Sequence, residues 1–136
     1  MKTITRKRET NEAQIRQLIE NWARAVRAGD MENILAHHID DIVMFDVPPP
    51  LQSKGIAAYK KTWDLFFKYS PGGEGSFNIV ELKIIAGDTV AFAHGLLRIG
   101  GEKNPSCRLT IGLHKVRGKW LIAHEHHSVP IELEQE

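Results

Sequence analysis

The chain has 136 residues, 42% of them apolar and 26% charged, with a formal net charge of +1. That balance fits one folded domain of ordinary size and excludes both a disordered chain and a strongly basic nucleic-acid binder. No apolar run approaches the ~18 residues needed to span a bilayer, and the charged start lacks the hydrophobic stretch of a secretory leader. A cytoplasmic protein without membrane or nucleic-acid partners is expected. The single cysteine, Cys107, excludes an intramolecular disulfide and fits that compartment. It opens a predicted strand, so it reads as a packing residue. The basic run KTITRKRET near the start reads as a solvated tail over residues 1–10, leaving 11–136 as one domain.

Residues 11–28 carry the clearest helical pattern. Ile15, Leu18, Ile19, Trp22 and Val26 recur at three- and four-residue spacing and make one apolar stripe. Asn11 is the expected N-cap, with Gln14 three residues on as in a capping box. Gly29 stops the helix, and Asp30 can cap a short second one carrying Ile34 and Leu35. His37 and His38 fall at its end and read as surface residues. The segment DDIVMFDV (40–47) is rich in strand formers and ends at Pro48, Pro49 and Pro50. A third helix is predicted from about Ser53 to Tyr69, with Ile56, Tyr59, Trp63 and Phe66 on one face, before SPGGEGS (70–76) breaks it. Four strand-like runs follow: FNIVELKIIAG, TVAFAHGLLRIGG, SCRLTIGLHKVRG and KWLIAHEHHSV. Their short, turn-rich connections favour an antiparallel meander.

Helices segregated from an antiparallel sheet make an α+β domain. If the sheet curves strongly beneath the helices, a cone-shaped space opens between them. Such spaces are typically apolar with a few polar groups. Trp22, Tyr59, Trp63 and Phe66 are suitable walls. The opposite sheet face has no helix to cover it, so a homodimer through that face is expected.

The last run places His124, Glu125, His126 and His127 in succession. On a strand they cannot form one cluster, because alternate side chains point to opposite faces. Trp120, Ile122, His124, His126 and Ser128 share one parity; Leu121, Ala123, Glu125, His127 and Val129 share the other. His124 and His126, with a third histidine such as His114, would make a zinc-like set. Nothing specifies that third ligand, and an interface role is preferred, so no metal is expected. Asp46 closes an apolar strand at a proline-rich bend. There it either serves a pocket as a partly desolvated carboxylate or bonds the turn at 48–51.

The element order, with RAGD after the first helix, DDIVMFD in the first strand, KG opening the third helix and RGKWLIAHEHHSVP at the end, resembles the nuclear transport factor 2-like superfamily, specifically its SnoaL-like, ketosteroid-isomerase-related branch. The resemblance runs from about residue 11 to the end. It implies a cone-shaped, cystatin-like fold with three helices on one face of a curved sheet. It also implies that Asp46 sits where the isomerases keep their proton-shuttling aspartate. The two electrophilic partners of those isomerases would fall at Trp22 and near Ile111, neither of which can replace a phenol or a protonated acid. That neutral acid of ketosteroid isomerase is itself the standard instance of a carboxyl kept protonated by its surroundings. In the register of related proteins, Glu125 and His127 turn toward the cavity, as do Val90, Phe92, His94 and Leu96.

The expected function is therefore a small-molecule enzyme that holds a hydrophobic or polycyclic ligand and moves protons in an isomerase-, cyclase- or dehydratase-like reaction without a cofactor. Asp46, His94 and His127 are the expected catalytic groups. Trp22, Tyr59, Trp63, Phe66, Phe92, Leu96, Ile111 and Glu125 are the expected ligand contacts. The alternative is a non-catalytic ligand-binding or dimerisation module of the same fold, motivated by the missing oxyanion donors.

Overall fold

The computed structural model describes residues 9–134. Most of the basic tail expected over residues 1–10 lies outside them. The first element, α1 (Asn11–Ala28), buries the predicted stripe: Ile15, Ile19, Trp22 and Val26 are each no more than 3% exposed. Its N-cap is Thr10 rather than Asn11. The Thr10 hydroxyl accepts the backbone N–H of Ala13, meeting one of the orphan donors of the first turn. Gly29 closes the helix in the left-handed region at φ 68°, with its N–H returned to the Ala25 and Val26 carbonyls. Asp30 caps the short α2 (Met31–Leu35) through the N–H of Asn33.

His37, at φ 59°, swings the chain out of α2 directly into β1 (His38–Phe45). The strand thus begins two residues before the predicted one and includes His38. The third helix starts later than predicted. Ser53 and Lys54 form a two-residue strand, β2, antiparallel to β1, and α3 runs from Ile56 to Tyr69. Then come β3 (Phe77–Ala86), β4 (Val90–Ile99), β5 (Cys107–Val116) and β6 (Lys119–Ser128).

The six strands form one sheet in the order β2-β1-β6-β5-β4-β3. The last four make the predicted antiparallel meander. The β5–β6 hairpin turns on Arg117 and Gly118, both at positive φ (52° and 79°), as a two-residue primed turn requires. Strand β1 departs from the purely antiparallel expectation, since it pairs with β6 in parallel. The long excursion through α3 and three strands leaves enough chain for that crossover.

Two irregularities bend the sheet. Glu81, at φ 54°, sits in a bulge between Val80 and Lys83, opposite Gly95. A Cβ on Gly95 would lie 3.1 Å from the Ile79 side chain and 3.2 Å from the Val80 carbonyl, so any side chain there would press on the bulge. The second irregularity inserts Ala123 between residues paired with Leu113 and Gly112. The helices lie over one face of this curved, unclosed sheet in the α+β, cystatin-like arrangement. The core they enclose joins α1 and α3 to Ala93, Leu97, Leu109, Ile111, Leu113 and Ile122. At about 25 cal/mol per Å² of apolar area, each large side chain buried there stabilises by roughly 1.5–3 kcal/mol.

Candidate active site

The Ala123 bulge decides where the histidines point. Trp120 and Ile122 are buried ahead of it, Glu125 and His127 are buried beyond it, and His124 and His126 turn to the outer face. The strict alternation expected along the strand therefore fails at one residue. Its two halves have opposite parity, and Trp120 and Ile122 share the inner face with Glu125 and His127.

Glu125 is completely buried and fully hydrogen-bonded. Its Oε2 accepts the Tyr59 hydroxyl at 2.5 Å and lies 3.0 Å from Nε2 of His38, while Oε1 lies 3.3 Å from Nε2 of His127. Tyr59 in turn accepts the indole N–H of Trp22 at 3.1 Å. Nδ1 of His38 is 2.8 Å from the Ala36 carbonyl. Four elements thus converge on one carboxylate: α1, β1, α3 and β6. Burial by itself would raise the pKa of Glu125. The hydrogen bonds from His127 and His38, with attraction to those rings when protonated, outweigh it and bring the value to about 2. Tyr59 moves the other way. Burial, then the neighbouring Glu125 charge, push its hydroxyl well above the usual phenol range and keep it a neutral donor.

His127 is the member of this network that reaches open space. It lines a cavity of about 670 Å³ between α3 and the sheet, with Met44, Thr62, Trp63, Phe66, Phe77, Leu97, Ile99 and Cys107. Its ring is held between Trp63 and Phe77, with centroids at 6.2 and 6.5 Å. Trp63 packs edge-on against Phe66 and Phe77 at 5.3 and 5.6 Å, making an aromatic wall. Asp46, Val47, Pro48 and Glu102 border the same cavity. Asp46 is half-buried just past the end of β1, and its Oδ1 accepts the N–H of Val47 at 2.8 Å. Its bond goes to the adjacent backbone and not to residues 48–51, the alternative weighed against a pocket role. Among the described residues, none that lines the cavity is lysine or arginine. Burial raises the Cys107 thiol above its ordinary pKa, so it sits here as an uncharged wall residue.

The other expected contacts divide three ways. Trp63 and Phe66 line the cavity, together with Asp46 and His127. Trp22, Tyr59 and Glu125 form the buried network behind it, and Ile111 is core, paired across the ladder with Glu125. His94, Phe92 and Leu96 are corrected: they do not face the cavity. His94 lies in one cross-strand row with Thr110 and His126, whereas Ala93 lies with Ile111 and Glu125. A strand whose neighbour directs Glu125 inward must direct His94 outward, and both His94 and Phe92 are exposed. His38 is the reverse correction. Expected at the surface, its side chain has no solvent exposure. Nothing in the sequence separated it from His37.

On the outer face, His124 and His126 flank Phe45 at 4.8 and 5.4 Å, and Nδ1 of His124 is 2.6 Å from the Val43 carbonyl. Among the described residues, no three of His, Cys, Asp and Glu are grouped to hold a metal ion. No helix among them is long and apolar enough to cross a membrane.

The comparisons agree with this architecture. The family model of the SnoaL-like domain matches residues 15–132. A crystallised NTF2-like protein of unknown function from Pseudomonas putida is 37% identical, covering 92% of each chain with a TM-score of 0.80. A ketosteroid isomerase-like protein from Erwinia carotovora atroseptica is 20% identical over 90% of this chain and 100% of its own, with a TM-score of 0.69. A putative scytalone dehydratase from Novosphingobium aromaticivorans is 16% identical over 88% and 84%, with a TM-score of 0.68. At those two identities the likeness is one of fold. No protein of curated function matches the chain. From the matched span and the 37% identical structure, the chain belongs to the SnoaL-like, NTF2-like family.

Proposed function

We propose that the chain is a small-molecule enzyme that binds an uncharged, apolar ring compound in the cavity and moves a proton on it, in an isomerase-, cyclase- or dehydratase-like reaction. The observation that carries this reading is that Asp46 and His127 border the same aromatic cavity. Phe45 pairs with His126 across the parallel β1–β6 ladder, so Asp46 and His127 follow side by side at its end, and one carboxylate and one imidazole in an apolar wall are the parts a base and an acid need. The volume suits a ring system of drug-like size. With Asp46 and Glu102 on the lining and no lysine or arginine among its described residues, a carboxylate or phosphate ligand would meet repulsion without a counterion there. Two relatives in fold, a ketosteroid isomerase-like protein and a putative scytalone dehydratase, belong to the same reaction class.

The test is turnover of a panel of neutral cyclic enones and polyketide-like ring compounds by wild type and Asp46→Asn. Asparagine keeps an oxygen to accept the Val47 N–H, so the melting temperature should stay within about 2 °C while kcat falls by about 100-fold or more. Full activity in that variant would remove Asp46 from the mechanism.

A second reading, ligand binding without turnover, is favoured by one observation. The Trp22 N–H, at the position of an oxyanion donor in related isomerases, is already given to Tyr59. Binding that raises the melting temperature with no conversion across the panel would support it. We further propose that two copies pair through the outer sheet face, where Ile85, Val90 and Phe92 are 40–56% exposed.

A further inference from the structure

Glu125 is a fully buried ionisable group with no access to substrate, and proton transfer in the cavity does not require it to react. Its geometry nevertheless determines which atom of His127 can. With Glu125 ionised, the direction in which its lowered pKa points, the chain of hydrogen bonds has one consistent assignment of protons. A carbonyl oxygen can only accept, so Nδ1 of His38, 2.8 Å from the Ala36 carbonyl, carries a proton. Tyr59 accepts from Trp22 and so donates to Oε2 of Glu125. Both carboxylate oxygens then face nitrogen atoms, Nε2 of His38 at 3.0 Å and Nε2 of His127 at 3.3 Å. An ionised Glu125 is an acceptor only, so both of those nitrogens must donate. His38 is left with both ring protons, an imidazolium enclosed with its counterion. His127 is left with its proton on Nε2. No described residue bonds its Nδ1, and the ring lines the cavity.

We propose that His127 exchanges protons with the ligand through Nδ1, and that Glu125, fixed by His38 and Tyr59, is the positioning residue that dictates this tautomer. This rests on the proton-transfer reading above. In the step, a substrate C–H or O–H bond breaks, its electron pair stays on the substrate, and the proton forms the Nδ1–H bond. Returning the same proton to another atom, or to a departing hydroxyl, closes the cycle with no oxidant or other reactant. Glu125 faces the imidazolium that forms, and it stays ionised throughout. This is the usual division of labour when a buried carboxylate orients a catalytic imidazole.

The test needs no substrate. Long-range ¹H–¹⁵N correlation spectra of ¹⁵N-labelled protein near pH 7.5 distinguish protonated from bare imidazole nitrogens. His127 and His38 are assigned by the signals lost in His127→Gln and His38→Asn. The expected wild-type spectrum shows His127 as the pure Nε2–H tautomer and His38 protonated on both nitrogens. Glu125→Gln should convert His127 to a tautomer mixture, because an amide can donate as well as accept. A wild-type His127 protonated on Nδ1, or a His38 ring protonated on one nitrogen only, would overturn the assignment. The wild-type spectrum decides the matter even if Glu125→Gln does not fold. Failure of turnover alongside the expected tautomers would sink the enzymatic reading and leave the positioning geometry standing. On any substrate turned over, Glu125→Gln should lower kcat about 100-fold with KM changed less than about threefold.

Discussion

At the scale of single residues, one carboxylate carries more constraint than any other group. Glu125 is held ionised in the dry interior because every lone pair that matters has a donor, and removing one donor from such a network leaves a buried charge exposed to an apolar medium. The pH consequence follows from the direction of the shift. The folded value of about 2 lies below the ordinary 4.5, so the unfolded chain takes up this proton first as acid is added. The stabilisation is complete above about 4.5 and is lost as pH falls through the window toward 2. Melting temperature measured stepwise from pH 6 to pH 2 should drop across that window, and Glu125→Gln should flatten the drop. Identical acid profiles for the two proteins would show that Glu125 is not held as described. The sequence made Glu125 and His127 visible as polar residues of one parity in an apolar strand. His38 was invisible, because its burial depends on a strand from a distant part of the chain lying alongside it.

Elements were legible wherever periodicity was strong. The α1 stripe, the Gly29 stop, the Asp30 cap and the four-strand meander all follow from local spacing and turn chemistry. What failed was parity, and it failed for a physical reason. A sheet's faces are set by register, register by pairing, and a one-residue insertion reverses a strand from that point on. Ala123 is such an insertion, and nothing marks it locally; His94 was misplaced because its row with Thr110 and His126 is a property of three strands together. The bulge at Glu81 is better marked, since a closely packed glycine stands opposite. In Gly95→Ala the new methyl would press on the Ile79 side chain and the Val80 backbone oxygen, so urea unfolding should show a loss of about 1–3 kcal/mol. A loss below about 0.5 kcal/mol would mean that the bend has slack the geometry does not reveal.

For the molecule as a whole, the cone was predictable once helices and sheet were known to be segregated, and its contents partly so. Trp63, Phe66, Asp46 and His127 were named from the sequence, while Met44, Thr62, Phe77 and Leu97 joined only when α3 was laid across the sheet. The outer face is the other whole-molecule feature. Light scattering on the purified protein should give twice the chain mass, and Phe92→Asp, placing a charge among exposed apolar residues, should give the monomer with its secondary structure intact. A monomeric wild type at high micromolar concentration would contradict the proposed pairing.

The central claim, that Asp46 and His127 move protons on a neutral ring ligand inside the aromatic cavity, is tested most directly by hydrogen–deuterium exchange on 2-tetralone in D₂O, followed by NMR. This uncharged fused-ring ketone has acidic C–H bonds beside its carbonyl and needs no knowledge of the natural substrate. The account predicts saturable acceleration of α-proton exchange over buffer, reduced at least about 100-fold by His127→Gln and by Asp46→Asn in folded protein. Exchange no faster than in buffer, or equally fast in both variants, would contradict it.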